Sequence, residues 1–116
     1  MRKDDLIRFR HMLDAAEEAL SFAAGKDRVH LNSDRMLVLS LLKEIEIIGE
    51  AASKVSAEAR RATPDIPWQD IVGMRNRLIH GYFDIDLDMV WDTMTKDLPP
   101  LIRQLEAAML EQGWRE

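Results

Sequence analysis

The sequence lacks cysteine altogether, which excludes disulfide bonds, thiolate metal ligands and cysteine nucleophiles. It also lacks a long apolar run. The most apolar stretch, MLVLSLL at residues 36–42, is far shorter than the ~20 residues of a membrane-spanning helix. The first residues are charged throughout and contain no apolar segment like that of a signal peptide. We therefore expect a soluble, cytoplasmic protein without a membrane segment.

Positive charge is scarce as well. The chain carries 16 Lys and Arg against 21 Asp and Glu, so the surface as a whole should repel nucleic acid. We expect no DNA binding, and any contact with RNA has to rest on a local positive patch. Residues 60–80 are such a patch, since they hold four arginines and only two aspartates. Apolar residues make up 47% of the chain, enough for residues 1–116 to form one domain with its own core.

Apolar residues recur at helical spacing in the first half of the chain, and no alternating strand pattern competes with them. One helix is predicted over residues 6–23, with a stop at Gly25 and a polar connection after it. A second helix begins at a cap formed by Ser33 or Asp34 and continues to residue 55. The stripes that should face the core are Leu6, Phe9, Leu13, Ala16, Leu20 and Ala23 in the first helix, and Leu37, Leu41, Ile45, Ile48, Ala52 and Val55 in the second.

The second half of the chain predicts three further helices. After a break that holds at most one short helical turn, a helix starts with Pro67 and ends at Gly81. A short helix follows, capped by Asp86 or Asp88, and the last helix carries two prolines (99–100) in its first turn. The predicted fold is all-α, an antiparallel bundle of four to five helices.

The second helix has features of a contact surface. Leu39, Leu42 and Ile47 lie off its main stripe, so the helix is either central in the bundle or part of an oligomer contact. Gly49 costs such a helix about 1 kcal/mol relative to alanine, which indicates that another backbone approaches closely there. The neighbouring Glu50 faces either solvent, an interface or a site that binds substrate.

The stretch MRNRLIHGYFDID, at residues 74–86, concentrates side chains that can handle a phosphate. Arg75 and Arg77 offer guanidinium forks for a phosphate, and His80 can move protons near neutral pH. On an ideal helix Asn76 stacks on His80, whereas Arg75 lies about 140° away from that histidine. Spacing alone nevertheless favours a simpler interpretation, because Arg and His often end a solvated helix and complement its dipole.

No other group of residues indicates a reaction. His11 and His30 have no second metal ligand at a recognisable spacing, and we expect both at the surface. The sequence has no P-loop, no Gly-rich dinucleotide motif and no nucleophile elbow. We therefore predict neither a metal site nor a cofactor.

The segment RNRLIHGY, read as R-x4-H-x-Y, resembles the signature of HepT-like toxins, a branch of the HEPN superfamily of helical RNases. The likeness extends to EIEIIGEAASKVS in the second helix, to IPWQDIVGMRN before the motif and to FDIDLDMVWDTMTKDLPPL after it. It covers residues 37–105, and the first helix agrees by pattern. A bare R-x4-H is frequent by chance, so the wider match carries the resemblance.

The resemblance implies a HEPN-like homodimer in which two motifs face each other across a cleft. It implies metal-independent RNA cleavage by attack of the ribose 2′-OH. His80 would be the acid/base, Arg75 would stabilise the phosphate charge, and Asn76 would position the substrate or the histidine. Tyr82 resembles the residue that an MNT-type nucleotidyltransferase antitoxin modifies with AMP in a type VII-like toxin–antitoxin pair. Such a modification silences the toxin.

Two other interpretations remain open. The chain is alternatively a non-catalytic HEPN module that binds a nucleotide or scaffolds a nucleotidyltransferase, with Arg75 and Arg77 holding phosphate. A third interpretation is a structural dimer module whose basic helix end has no chemical role.

Overall fold

The computed structural model describes residues 1–80 and 84–113. These residues are helical apart from short connections, which confirms the all-α prediction, and their only β-pairing is a single bridge between Ile79 and Ile85. None of the helices in these ranges is long and apolar enough to cross a lipid bilayer. The helices are α1 (Lys3–Ala23), α2 (His30–Ser33), α3 (Arg35–Ser53), α4 (Ala57–Ala62), α5 (Trp68–Val72), α6 (Met74–Leu78), α7 (Leu87–Asp92) and α8 (Leu98–Glu111), with a π-helical turn (Thr93–Asp97) between the last two.

The three long helices α1, α3 and α8 form the bundle. The amino group of Met1 donates to the side chain of Gln112, which places the start of α1 beside the end of α8. The carboxylate of Asp5 accepts hydrogen bonds from Ser56, which places the same end of α1 beside the end of α3. Helix α1 therefore runs antiparallel to both of its long neighbours, as predicted.

The apolar stripes form the core at the interface of these helices. All six predicted stripe residues of the second helix are buried, although the last of them, Val55, lies two residues past the end of α3. Gly25 follows α1 with a positive φ of 74°. In α1 the stripe is shifted, because Met12 is fully buried although the predicted stripe omits it, whereas Leu6, Leu20 and Ala23 are only partly buried. Asp34 rather than Ser33 caps α3, its carboxylate accepting the N–H of Leu37. The predicted polar connection before α3 contains the short helix α2, which buries Leu31.

The backbone of α5 covers Gly49. A Cβ at this position would lie 3.5 Å from the carbonyl oxygen of Ile71 and 3.7 Å from that of Val72. The predicted close approach of another backbone is therefore confirmed, and the backbone belongs to the same chain. Of the off-stripe apolar residues in α3, Leu42 is buried, while Leu39 and Ile47 remain 48% and 37% exposed.

The prediction of one helix from Pro67 to Gly81 is wrong. The helical run breaks at Gly73 into α5 and α6, and α6 ends at Leu78. The next residue, Ile79, is β-branched and extended, with φ of −120° and ψ of 117°. It pairs with Ile85, six residues further along the chain, and this backbone pairing replaces the last turn of the predicted helix.

The last two predicted helices are continuous. Asp86 is the cap, as one of the two predicted alternatives, because its carboxylate accepts the N–H of Met89. Helix α7 then passes through the π-helical turn into α8, whose first turn contains both prolines. A proline in a regular helix lacks a donor and collides with the carbonyl four residues earlier. The wider turn directly before the prolines lets the helix continue past them.

Two carboxylates are buried in the bundle. Burial alone would raise the pKa of Asp5, but the hydrogen bonds from Ser56 and the charge of Arg2 lower it below its ordinary value. Glu44 of α3 is only 4% exposed, and one of its carboxyl oxygens has no hydrogen-bond partner in the described residues. Burial, together with a hydrogen bond to Glu18 and the charge of that residue, raises the pKa of Glu44 to about 7.

We expect Glu44 to make stability depend on pH. Its folded pKa of about 7 lies above the unfolded value of 4.5, so the fold favours the protonated form. The resulting stabilisation is complete below the unfolded value and is lost as the pH rises through the folded one. The unchanged protein should therefore lose Tm between pH 5 and pH 8. Glu44→Gln stays neutral, so its loss of Tm over this range should be smaller by on the order of 5 °C. Thermal unfolding across this pH range measures it.

The matched control is Glu106→Gln, which removes an exposed carboxylate from α8. This variant should keep the pH profile of the unchanged protein. A Glu44→Gln profile parallel to that of the unchanged protein would show that Glu44 is already ionised in the fold.

Candidate active site

Helix α6 presents the basic part of the motif to solvent. Its buried residues Met74 and Leu78 fix the helix against the core. Because these two residues point inwards, the side chains between them, Arg75, Asn76 and Arg77, are exposed.

His80 is placed by backbone pairing beyond the end of α6. Its N–H donates to the carbonyl oxygen of Asp84 at 2.7 Å, and the N–H of Asp86 donates to the carbonyl oxygen of Leu78 at 2.7 Å. These bonds flank the bridge between Ile79 and Ile85. The pairing thus fixes the backbone of His80 and brings Asp86 alongside it.

Asp86 connects His80 to the start of α7. Its Oδ2 lies 3.6 Å from Nε2 of His80, and its Oδ1 accepts the N–H of Met89 at 3.0 Å. The cap holds the carboxylate in place while leaving one oxygen towards the imidazole. The His80 side chain is 55% exposed, so a substrate can reach the ring. Sequence reasoning identified Asp86 only as a helix cap, because its second contact depends on the pairing.

The predicted stacking of Asn76 on His80 in one helix is wrong, since α6 ends at Leu78. The N–H of Asn76 donates to the carbonyl oxygen of Gly73, and its side chain is exposed. The angular mismatch between Arg75 and His80, calculated for an ideal helix, loses its meaning for the same reason. Arg75 and His80 belong to different local structures.

Arg75 faces α3 through a residue that sequence reasoning missed. Its Nε lies 3.7 Å from Oε2 of Glu46, and Oε1 of the same carboxylate lies 3.4 Å from Nζ of Lys43. Glu46 therefore stands between two cations, and the Arg75 side chain remains 51% exposed. Glu50, one turn further along α3, lines the groove between α1 and α3.

The remaining predicted residues lie elsewhere. Arg77 is 3.7 Å from the carboxylate of Asp70 and lines a cavity of about 280 Å³ between α5, α6 and α8, which Arg75 does not line. Tyr82 lies outside the described residues.

The other histidine contact is structural: Nδ1 of His30 accepts the N–H of Asp27. In the described ranges, no three His, Asp or Glu side chains cluster closely enough to hold a metal ion.

The sequence profile of the family described as "Ribonuclease HepT-like" matches residues 12–108, from α1 to α8. The chain belongs to this HepT-like ribonuclease family. Over 107 residues it is 32% identical to "Putative RNase MJ1380" of Methanocaldococcus jannaschii, covering 91% of this chain and 98% of that protein. It is 36% identical over 73 residues to "Probable ribonuclease HepT" of Thermococcus cleftensis, 63% of this chain and 66% of that protein. No solved structure matches the chain.

The arrangement in this HepT-like chain combines two chemical capacities. An exposed imidazole can accept and return a proton, and a carboxylate 3.6 Å from its Nε2 can hold the ring in one orientation. A half-exposed guanidinium can stabilise negative charge on a phosphate. Neither capacity needs a metal ion or a thiol.

We expect Asp86 to support the fold of this HepT-like site as a cap. Asp86→Ala removes the acceptor for the N–H of Met89, which should cost about 1 kcal/mol of unfolding free energy. Asp88→Ala is the matched control, because its 83% exposed carboxylate pairs with Arg28 at the surface and such pairs contribute little. Urea unfolding of both variants measures the difference. An equal loss in the two would exclude Asp86 as the stabilising cap.

Proposed function

We propose that the chain is a metal-independent endoribonuclease, the toxin of a type VII-like toxin–antitoxin pair that acts in the cytoplasm. The observation that carries the proposal is the exposed His80, fixed by backbone pairing with its Nε2 3.6 Å from Asp86, two residues past the helix that presents Arg75. The names of the relatives, which refer to ribonucleases, agree with this reaction.

In the proposed reaction His80 moves the protons and Arg75 stabilises charge. His80 removes the proton from a ribose 2′-OH, the 2′-oxygen forms a bond to the adjacent phosphorus, and the bond from phosphorus to the 5′-oxygen breaks. The leaving 5′-oxygen takes up a proton, so the products are a cyclic phosphate and a 5′-hydroxyl. Arg75 lies against the phosphorane oxygens, and Asn76, exposed beside it, positions the substrate. Asp86, whose Oδ2 lies 3.6 Å from Nε2 of His80, orients the imidazole.

The active form is proposed to be a homodimer. Helix α3 exposes apolar side chains on the side turned away from the core, with Met36 81%, Leu39 48% and Ile47 37% exposed. Val72 of the adjacent α5 is 41% exposed. An apolar surface of this kind is suited to a second copy. In a dimer, two His80 residues would be available, so that one could act as base and the other as acid.

Regulation is proposed to act on Tyr82, two residues past His80. An MNT-type nucleotidyltransferase antitoxin would transfer AMP to the tyrosine hydroxyl. The added nucleotide would occupy the space beside His80, and its phosphate would repel the RNA backbone and compete for Arg75. Arg77 and Glu50 are also proposed as substrate contacts. They are not adjacent, because Arg77 lines the cavity between α5, α6 and α8 and Glu50 lines the groove between α1 and α3.

His80→Ala should lower the rate of RNA cleavage by about 10²–10⁴-fold, the range for loss of a general acid–base group. It should also abolish growth arrest. The measurement is cleavage of a labelled RNA followed on a gel, with the elution volume of the purified variant to show that assembly is unchanged. The control His30→Ala removes a histidine whose ring makes only a structural contact, and it should cleave normally.

Full cleavage by His80→Ala would contradict the catalytic assignment. If the unchanged protein leaves RNA intact at high excess but binds ATP or a nucleotidyltransferase, the non-catalytic alternative is correct. If the double variant Arg75→Ala, His80→Ala behaves normally in every assay, the motif has only a structural role.

Incubation with the nucleotidyltransferase and ATP should increase the intact mass by whole AMP units and stop RNA cleavage. Tyr82→Phe should keep its mass, because it lacks the hydroxyl that accepts the nucleotide, and it should keep cleaving. Mass spectrometry of both forms measures the modification. An AMP addition that persists in Tyr82→Phe would place the modification on another residue.

A further inference from the structure

A groove between α1 and α3 carries positive charge next to Arg75. It has a volume of about 220 Å³ and is open to solvent on one side. The cations along it are Arg8 of α1, Lys43 of α3, and Lys54 directly after α3. The acidic residues are Glu46 and Glu50, and His11 of α1 adds an imidazole.

Two of these cations are not neutralised. Within residues 1–80 and 84–113, no carboxylate oxygen lies within 4.0 Å of the side-chain nitrogens of Arg8 or Lys54. Lys43 shares Glu46 with Arg75, so one carboxylate there serves two cations. The groove is thus a local positive surface on a chain whose net charge is −5. A surface of this kind attracts a polyanion at short range without binding nucleic acid over the whole protein.

Glu46 joins the groove to the candidate active site. Its carboxylate lines the groove and also lies 3.7 Å from Nε of Arg75. The groove therefore opens beside the guanidinium that is proposed to hold the scissile phosphate. An RNA strand leaving Arg75 along α3 would bring its next phosphates towards Lys54 and Arg8.

We propose that this groove binds the phosphates of single-stranded RNA flanking the scissile one, with Arg8 and Lys54 as the contacting cations. The inference rests on the proposed function and adds a substrate subsite to it. The groove also offers the imidazole of His11, on which an unpaired base can lie. Glu50 sits among the cations and opposes the phosphates, which limits affinity.

The test measures RNA binding separately from cleavage. A fluorescent single-stranded RNA of about 12 nucleotides, within the length that one binding groove covers, is titrated with full-length His80→Ala. Anisotropy gives Kd at several salt concentrations. Adding Arg8→Gln and Lys54→Gln should raise Kd about tenfold. The plot of log association constant against log salt concentration should become shallower by about 1.4, which corresponds to two lost phosphate contacts.

Two further variants control for net charge. Lys26→Gln with Arg103→Gln removes the same amount of positive charge from exposed residues outside the groove, and it should leave Kd and the salt slope nearly unchanged. Glu50→Gln should act in the opposite direction and lower Kd about threefold, because it removes the carboxylate that faces the phosphates.

Equal effects of the two double variants would overturn the proposal, because only net charge would then matter. A change in elution volume caused by the Arg8 and Lys54 substitutions would assign the groove to a subunit contact and also overturn it. If the unchanged protein cleaves RNA while the groove variants bind it normally, the proposed function is supported and the proposed subsite is wrong. If no RNA is cleaved but binding still depends on the groove residues, the proposed reaction is wrong and the subsite is supported.

Discussion

The candidate site depends on the backbone pairing between residues 78–80 and 84–86. The pairing ends α6 at Leu78, holds His80 in extended backbone and aligns Asp86 with it. The same aspartate starts α7, so the helix that continues into the bundle begins where the imidazole is fixed. Backbone hydrogen bonds are short-range and directional, and a side chain attached to paired backbone has few positions open to it. The site is therefore attached to the core on both sides: Leu78 lies in the core before His80, and α7 follows Asp86.

The second determinant of the site is the sharing of Glu46 between Lys43 and Arg75. A lone carboxylate beside an arginine would compete with a phosphate for the guanidinium, whereas a carboxylate shared between two cations leaves excess positive charge. Both contacts are longer than an ideal charged hydrogen bond, at 3.4 and 3.7 Å, and the three side chains are about half exposed or more. Such pairs add little to stability. Their consequence is orientation: Arg75 stays close to α3 and at the mouth of the groove rather than extending into solvent.

The sequence predicted the parts of this structure that depend on local periodicity and capping. The stripe of α3, the cap at Asp34 (one of two predicted alternatives) and the stop at Gly25 all follow from residues a few positions apart. The features that it missed depend on contacts that helical periodicity does not show. Ile79 pairs with Ile85 only six residues later, but the helical spacing of residues 67–81 gives no sign of this pairing. Glu46 resembles the other glutamates on exposed helix faces until the fold brings Arg75 to it. The resemblance identified the family and named Arg75, Asn76 and His80, but not the carboxylates beside them.

Net acidity and an RNA substrate are compatible because the charges are segregated. Exposed carboxylates over most of the surface repel a long polyanion, so a strand is attracted only where the cations outnumber their partners. At physiological ionic strength the repulsion is screened beyond about 8 Å. At closer range the groove cations therefore dominate: Arg8 and Lys54, which have no ion-pair partner among residues 1–80 and 84–113, and the two cations that share Glu46. Such an arrangement favours single-stranded RNA, because a flexible strand can enter the groove. A rigid duplex is disfavoured, because it would bring many phosphates against acidic surface at once. If the proposed function is correct, selectivity for accessible RNA follows from the distribution of charge and from the position of His80.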